Sequence, residues 1–136
     1  MKTWPVFILI LTLVVVLAPA FATQKSEPGV VVPKYDPASE ATYKGTVEEV
    51  KDHICPVSRG MGSHVILKLA GGKTIEVHLA TTKFVKTYDL TFSKGDELEV
   101  TGSKVKFEGV DTIFAREVKR GNDTFVFRDK DGNPIW

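Results

Sequence analysis

The sequence contains a single cysteine, Cys55, and this scarcity excludes an intramolecular disulfide. The chain has almost no net charge, because 18 basic residues are balanced by 17 acidic ones among its 136 residues. Domains that bind nucleic acid through charge alone are clearly basic, so this balance argues against that class. No apolar run reaches the about 20 residues that a membrane-spanning helix requires. The apolar run at residues 6–18 is shorter than a membrane-spanning helix, so we do not expect it to remain in a membrane as a span.

The beginning of the chain has the layout of a secretory signal peptide. A basic start precedes the apolar residues 6–18, and a small-x-small cleavage site follows at residues 20–22. We expect residues 1–22 to be removed on export to the periplasm or the cell exterior, with no membrane span left after cleavage. Residues 23–40 contain three prolines and are expected to form an extended spacer. Residues 41–136 then form one folded domain.

Short segments in which apolar and polar residues alternate, separated by glycine-containing turns, follow residue 40. Such alternation predicts half-buried strands, and Gly71-Gly72 between two of these segments predicts a hairpin. Gly45 and Gly102 lie within strand-like segments, which indicates bulges or sharp bends. The expected strands are residues 42–51, 63–70, 73–80, 97–103, 111–119 and 124–128, with residues 52–62 forming a loop.

Five or six strands with little helix predict an all-β fold. Closure of the sheet removes the bare edges of an open sheet, and an immunoglobulin-like sandwich needs about seven strands. The expected fold is therefore a small five- to six-stranded Greek-key barrel, OB-fold-like. OB folds often carry a helix between the third and fourth strands, and residues 81–93 are expected to form a short helical turn there.

Residues 77–79 read Val-His-Leu, and residues 94–103 contain Lys-Gly-Asp followed by Leu-Glu-Val-Thr-Gly-Ser. Residues 115–119 read Ala-Arg-Glu-Val-Lys, and residues 128–136 read Arg-Asp-x-Asp-Gly-x-Pro-x-Trp. Together these segments resemble a group of small exported bacterial proteins of unknown function, often loosely labelled DNA-binding, that have an OB-fold-like domain. The resemblance implies an OB fold and an exported location, and it implies no established activity.

Four residues are candidates for ligand binding: His78, Arg116, Lys119 and Arg128. His78 has the outward parity of its strand, where an exposed imidazole can bind an anion, a metal or a substrate group. The alternative is a hydrogen-bonded histidine under the following loop. The three basic residues can form a patch for phosphate or carboxylate, but acidic residues such as Glu117 interleave with them, so internal ion pairs are the alternative.

The sequence carries no nucleophile elbow, phosphate-binding loop or His-Glu-x-x-His motif, so we expect no enzyme and no cofactor. The expected function is an exported, non-catalytic OB-fold module that binds a small ligand or an envelope protein. One alternative is a single-stranded nucleic-acid-binding OB domain that stacks bases on aromatic residues. The other is a metal-binding protein built on His53, Cys55 and His64, since imidazole and thiolate are ligands of zinc.

Overall fold

Six strands form one hydrogen-bonded sheet in the computed structural model, which describes residues 31–136. The predicted signal peptide, residues 1–22, lies outside the described residues, as does the first part of the predicted spacer. The rest of the spacer ends in a 3-10 turn, Pro37–Ser39. The elements that follow are β1 (Glu40–Cys55), β2 (Gly60–Leu69), β3 (Thr74–Thr81), α1 (Thr82–Thr87), β4 (Glu97–Phe107), β5 (Val110–Arg120) and β6 (Asp123–Val126).

The strand pairing closes into a ring of hydrogen bonds. β1 pairs antiparallel with β2 and β4, β2 pairs with β3, and β4 pairs with β5. β3 lies parallel to β5, with Val77 opposite Ile113, and this pairing completes the ring. β6 adds to β5 as a sixth strand. The predicted all-β fold and the short helix between the third and fourth strands are confirmed.

The first hairpin is longer than the sequence predicts, and the expected loop at residues 52–62 is wrong. β1 continues to Cys55, and β2 already begins at Gly60, so only residues 56–59 form the turn. Gly60 and Gly62 resemble loop residues in the sequence, but here they pair with Cys55 and His53 across the hairpin. The extension carries His53 and Cys55 along a regular strand.

The core lies inside the ring and consists of alternate side chains from its strands. Val65 and Leu67 on β2 and Val77 and Leu79 on β3 are all buried, as the predicted hairpin faces require. Full burial of one such side chain contributes about 1.5–3 kcal/mol. The other buried members of this core are Val47, Ala80, Val85, Phe92, Leu98, Val100, Ile113, Ala115, Val118 and Phe127.

Two short features complete the scaffold. Gly71 and Gly72 both have φ of +90°, the left-handed conformation that glycine adopts easily, and they form the predicted turn between β2 and β3. α1 begins at Thr82 after Thr81, whose side chain accepts a hydrogen bond from the Phe84 backbone N–H, and it packs Val85 into the core.

Between residues 31 and 136, no helix has the length and apolar character needed to cross a membrane.

Candidate functional site

All three histidines of the chain lie together near the turn between β1 and β2, beside the single cysteine. His53 and Cys55 are on β1, His64 is on β2 and His78 is on β3. Cys55, His64 and His78 are buried, whereas the His53 side chain is about half exposed. Side chains from three strands therefore meet at a place that is covered on one side and open to solvent on the other.

Strand register brings the histidines together. His64 lies opposite His78 in the pairing of β2 with β3, next to a register shift between Ser63 and His64. On the other edge of β2, His53 lies opposite Gly62, and residues two apart along a strand share a face. The rings of His53 and His64 are stacked, with centroids 4.0 Å apart and planes inclined by 24°.

Two overlapping groups of potential metal ligands share His64. The outer triad consists of His53, His64 and Glu76, and the buried triad consists of Cys55, His64 and His78. Within each triad the ligand atoms lie within 4.8 Å of one another. Imidazole nitrogen, thiolate and carboxylate oxygen are the ligands that zinc and related first-row metals use in proteins. His64 is therefore a potential metal ligand in both triads.

The outer triad has nearly the spacing of a coordination sphere. Glu76 Oε1 lies 3.0 Å from His64 Nδ1 and 3.1 Å from His53 Nε2. Ligands held about 2.0–2.1 Å from a tetrahedral zinc ion are roughly 3.3–3.4 Å apart. Small side-chain movements are therefore enough for these three atoms to surround one ion.

The ring of His64 is buried and has no well-aligned hydrogen bond among residues 31–136. Nδ1 lies 3.0 Å from Glu76 Oε1, a charge contact with poor hydrogen-bond alignment, and Nε2 has no partner. Buried polar groups are nearly always paired, so an imidazole without an aligned hydrogen bond requires an explanation. A role as metal ligand accounts for Nδ1, because a metal ion accepts the one lone pair of a neutral imidazole, whereas the other nitrogen, Nε2, still needs an acceptor for its N–H.

Gly62 keeps space open beside the second nitrogen of His64. A Cβ atom at this position would lie 2.6 Å from Ser58 Oγ, 3.0 Å from His64 Nε2 and 3.3 Å from Cys55 Cβ. The first two distances are too short for a relaxed structure, so any other residue would displace the hydroxyl or the ring. The glycine therefore lets His64 and Cys55 lie on the same side of the hairpin.

His78 is completely buried, so the expectation of an exposed imidazole is wrong. Alternation puts it on the opposite face from Val77, but the turn between β1 and β2 covers that face. His78 Nε2 and Ser58 Oγ share a hydrogen bond of 2.8 Å, while Nδ1 is buried without a partner. The ring also contacts Phe114 and Trp136. The covering segment precedes β2 and is not the loop after β3.

Burial keeps the two inner histidines neutral. It lowers the pKa of His64 to about 4, and the neighbouring His53 acts in the same direction while Glu76 opposes it. Burial also lowers the pKa of His78 to about 3, with smaller contributions from His64 and Arg128. Each ring therefore retains one lone pair at neutral pH, as a metal ligand must.

We expect the metal-free protein to lose stability as the pH falls from about 7 to about 5. Unfolded histidines bind a proton near pH 6.5, whereas folded His64 and His78 stay neutral until about 4 and about 3. The unfolded state then binds more protons, so the free energy of unfolding decreases with falling pH. Urea denaturation in EDTA measures the slope, which should become shallower in His64→Asn. A slope unchanged by that substitution contradicts a neutral His64.

A cavity of about 260 Å³ borders the outer triad and Cys55. Two apolar side chains, Ile54 and Val110, also line it and are 79% and 55% exposed. Because His53 is half exposed on the same cavity, an ion can reach the cluster without opening of the fold.

Arg116 and Lys119 form ion pairs and do not join His78. Arg116 donates two hydrogen bonds of 2.9 Å to the Glu40 carboxylate, and this bidentate pair lowers the pKa of Glu40. Lys119 Nζ lies 3.9 Å from Glu117, which also lies 3.7 Å from Arg116. Both basic side chains therefore adopt the internal pairing that the sequence left open as an alternative.

Arg128 comes close to His78. Its side chain is buried, and its Nη1 donates a hydrogen bond of 2.9 Å to Gly132 O. Its guanidinium carbon lies 5.3 Å from the centre of the Phe114 ring and 5.5 Å from that of Trp136. Because His78 contacts the same two rings, these two candidates share one aromatic surrounding.

Glu76 is the member of the cluster that sequence reasoning did not assign. Glu76 lies two residues before His78 on the same strand. This spacing alone indicates that the two side chains share a face of the sheet. Its contact with His53 joins residues 23 apart in sequence. Only the register of β1, β2 and β3 reveals that contact.

Comparison with known proteins gives one family match. The model of the MamS/MamX magnetosome protein family matches residues 39–125, well over half of the chain. Both triads lie within the matched range, whereas Arg128 and Trp136 follow it. The match agrees with the expectation of a small bacterial family. No curated protein matches the chain.

Proposed function

We propose that this chain, which belongs to the MamS/MamX magnetosome protein family, is an exported domain that binds one first-row transition-metal ion. The outer triad holds the ion through His53, His64 and Glu76. The observation that carries this proposal is the buried imidazole of His64, which has no well-aligned hydrogen bond and whose Nδ1 lies 3.0 Å from the same Glu76 oxygen that His53 contacts. Nothing in the sequence indicates catalysis, so the proposed activity is binding alone.

The proposed scaffold is an OB-fold-like barrel. The ring of five paired strands and the helix between β3 and β4 support it, because the OB fold is a five-stranded Greek-key barrel, often with a helix at that position. Closure of the sheet restrains β1, β2 and β3 relative to one another. The ligands of the outer triad, which come from these three strands, are thereby preorganised.

Export is supported by the signal-peptide pattern of residues 1–22. The burial of Cys55 is compatible with it. An exposed lone thiol in an oxidising compartment can form disulfides between chains, and a buried thiol is protected from that reaction. Cys55 then serves as a packing residue beside His64.

The donor set favours zinc or a neighbouring first-row metal. Imidazole suits zinc, copper, iron and nickel, and a single carboxylate completes a mixed nitrogen and oxygen set. Structural zinc sites usually have four protein ligands, whereas three ligands leave one position open. In the outer triad that position is available to a water molecule or to a group that enters the adjacent cavity.

Isothermal titration of the full chain tests the proposal. The protein is treated with EDTA, freed of chelator and titrated with Zn²⁺ and then with Co²⁺. We expect one ion per chain, and a fluorescent oligonucleotide at low salt should show no tight binding. Absence of stoichiometric binding by both ions contradicts the metal site. Tight, steeply salt-dependent oligonucleotide binding would instead favour the nucleic-acid alternative.

A further inference from the structure

A second cavity, of about 400 Å³, is lined by Phe114 and Trp136, the two rings that His78 also contacts. Arg128 lines it and is 4% exposed. Its guanidinium carbon lies between 5.3 and 5.5 Å from the ring centres of Tyr35, Phe114 and Trp136. The cavity therefore has aromatic walls and a buried positive charge.

The charge of Arg128 has no carboxylate partner among residues 31–136. Its Nη1 donates to Gly132 O, but its Nε is buried and has no acceptor. Aromatic rings favour a guanidinium electrostatically, yet they do not accept the N–H in the plane of the group. Burial lowers the pKa of Arg128. A buried arginine is usually paired, so this one lacks its usual counter-charge.

Trp136 supplies a second donor without an acceptor. Its Nε1 is buried and has no hydrogen-bond partner, and its side chain lines the same cavity. An indole N–H only donates, as a guanidinium does. Both side chains border one cavity, so a group that enters it is the nearest source of the missing acceptor, and the charge of Arg128 favours an anionic one.

The charged side chains on the rim do not supply that acceptor. Lys34 contributes a second positive charge to the cavity wall. Asp131 also lines the cavity, but its side chain is 67% exposed and lies 3.8 Å from Lys130 Nζ. Asp131 forms no ion pair with Arg128 and is screened by solvent, so Arg128 Nε stays without an acceptor.

We propose that this cavity binds a small oxyanion, a carboxylate or a phosphate, through the guanidinium of Arg128 and the indole N–H of Trp136. Both Arg128 Nε and Trp136 Nε1 are covered, so the side chains around them shift when the anion enters. The aromatic walls lower the local dielectric on one side of the anion, which strengthens charge-assisted hydrogen bonds. This site uses none of the outer triad, so it is independent of the proposed metal site.

Two-dimensional NMR of the full chain tests this assignment through the indole N–H of Trp136. The Trp4→Phe variant identifies which indole signal belongs to Trp136. Inorganic phosphate, sulfate and acetate are titrated separately at constant ionic strength in EDTA. We expect a saturable shift of the Trp136 signal with at least one of them. Response to acetate alone assigns a carboxylate, and response to phosphate and sulfate assigns a tetrahedral anion.

Variants separate binding from folding. Arg128→Gln should weaken oxyanion binding by about tenfold or more, while Lys130→Gln, a matched change at an exposed neighbour, should leave it unchanged. If Arg128→Gln does not fold, Arg128→Lys keeps the charge but loses the planar fork, and it should also bind more weakly. A Trp136 signal that responds to none of the anions, or equal affinity in wild type and Arg128→Lys, overturns the proposal. Oxyanion binding in His64→Asn should persist, even if the metal site fails.

Discussion

Replacement of His64 by asparagine is expected to reduce the affinity for Zn²⁺ by about 100-fold or more. Substitution of groups that only support metal ligands already costs about 10–100-fold, and His64 is a ligand in this account. The buried triad cannot compensate for the loss, because it contains the same residue. Isothermal titration of the variant and the wild type at the same pH measures the difference.

Four further variants locate the ion within the cluster. His53→Gln and Glu76→Gln each remove a ligand of the outer triad and should weaken Zn²⁺ binding, whereas Cys55→Ser should not. Glu49→Gln is the matched control for Glu76→Gln, because it removes the same charge from a side chain that is 59% exposed. If His64→Asn binds Zn²⁺ as tightly as the wild type, the site is wrong. If Cys55→Ser and His64→Asn weaken binding but His53→Gln and Glu76→Gln do not, the ion belongs to the buried triad.

Gly102→Ala is expected to lower the free energy of unfolding by about 2–3 kcal/mol. A Cβ atom there would collide with Phe114 O and lie 2.9 Å from Ile113 Cγ2. Gly102 pairs with Ala115 directly after a register shift, where β4 and β5 approach closely within the ring. Backbone and buried side chain cannot yield without disturbing that pairing. Thermal unfolding should show a loss of about 10 °C or more.

Gly60→Ala is the matched control for this substitution. Gly60 also lies in a strand of the ring, but a Cβ atom there would meet nothing within 4 Å. Its effect should stay within about 0.5 kcal/mol, as for most surface substitutions. Equal stability of Gly102→Ala and the wild type would contradict the close approach of β4 and β5.

Local pattern predicted much of the fold. Alternation in β2 and β3 identified the two strands and the buried faces of Val65 and Val77, because one face of each strand packs into the core. Gly71-Gly72 identified the turn between them, because both residues have positive φ. The extension of β1 to Cys55 and of β2 back to Gly60 was not predicted, because strand glycines such as Gly60 and Gly62 look the same in a sequence as glycines that form loops.

The candidate site was only partly accessible from the sequence. The chemistry of His53, Cys55 and His64 predicts possible metal ligands, and the strand position of His78 predicts a separate ligand-binding residue. Their convergence depends on strand register, which single-strand patterns do not contain. The burial of His78 depends on a turn that covers the outer face of the sheet. Alternation tells which face a side chain takes, but not what covers that face.

The most direct measurement is an anomalous difference map at the zinc edge, from crystals of the full chain grown with one equivalent of Zn²⁺. We predict one strong peak about 2.0–2.2 Å from His53 Nε2, His64 Nδ1 and Glu76 Oε1. Crystals that contain zinc but show no peak within bonding distance of His64 would contradict the account.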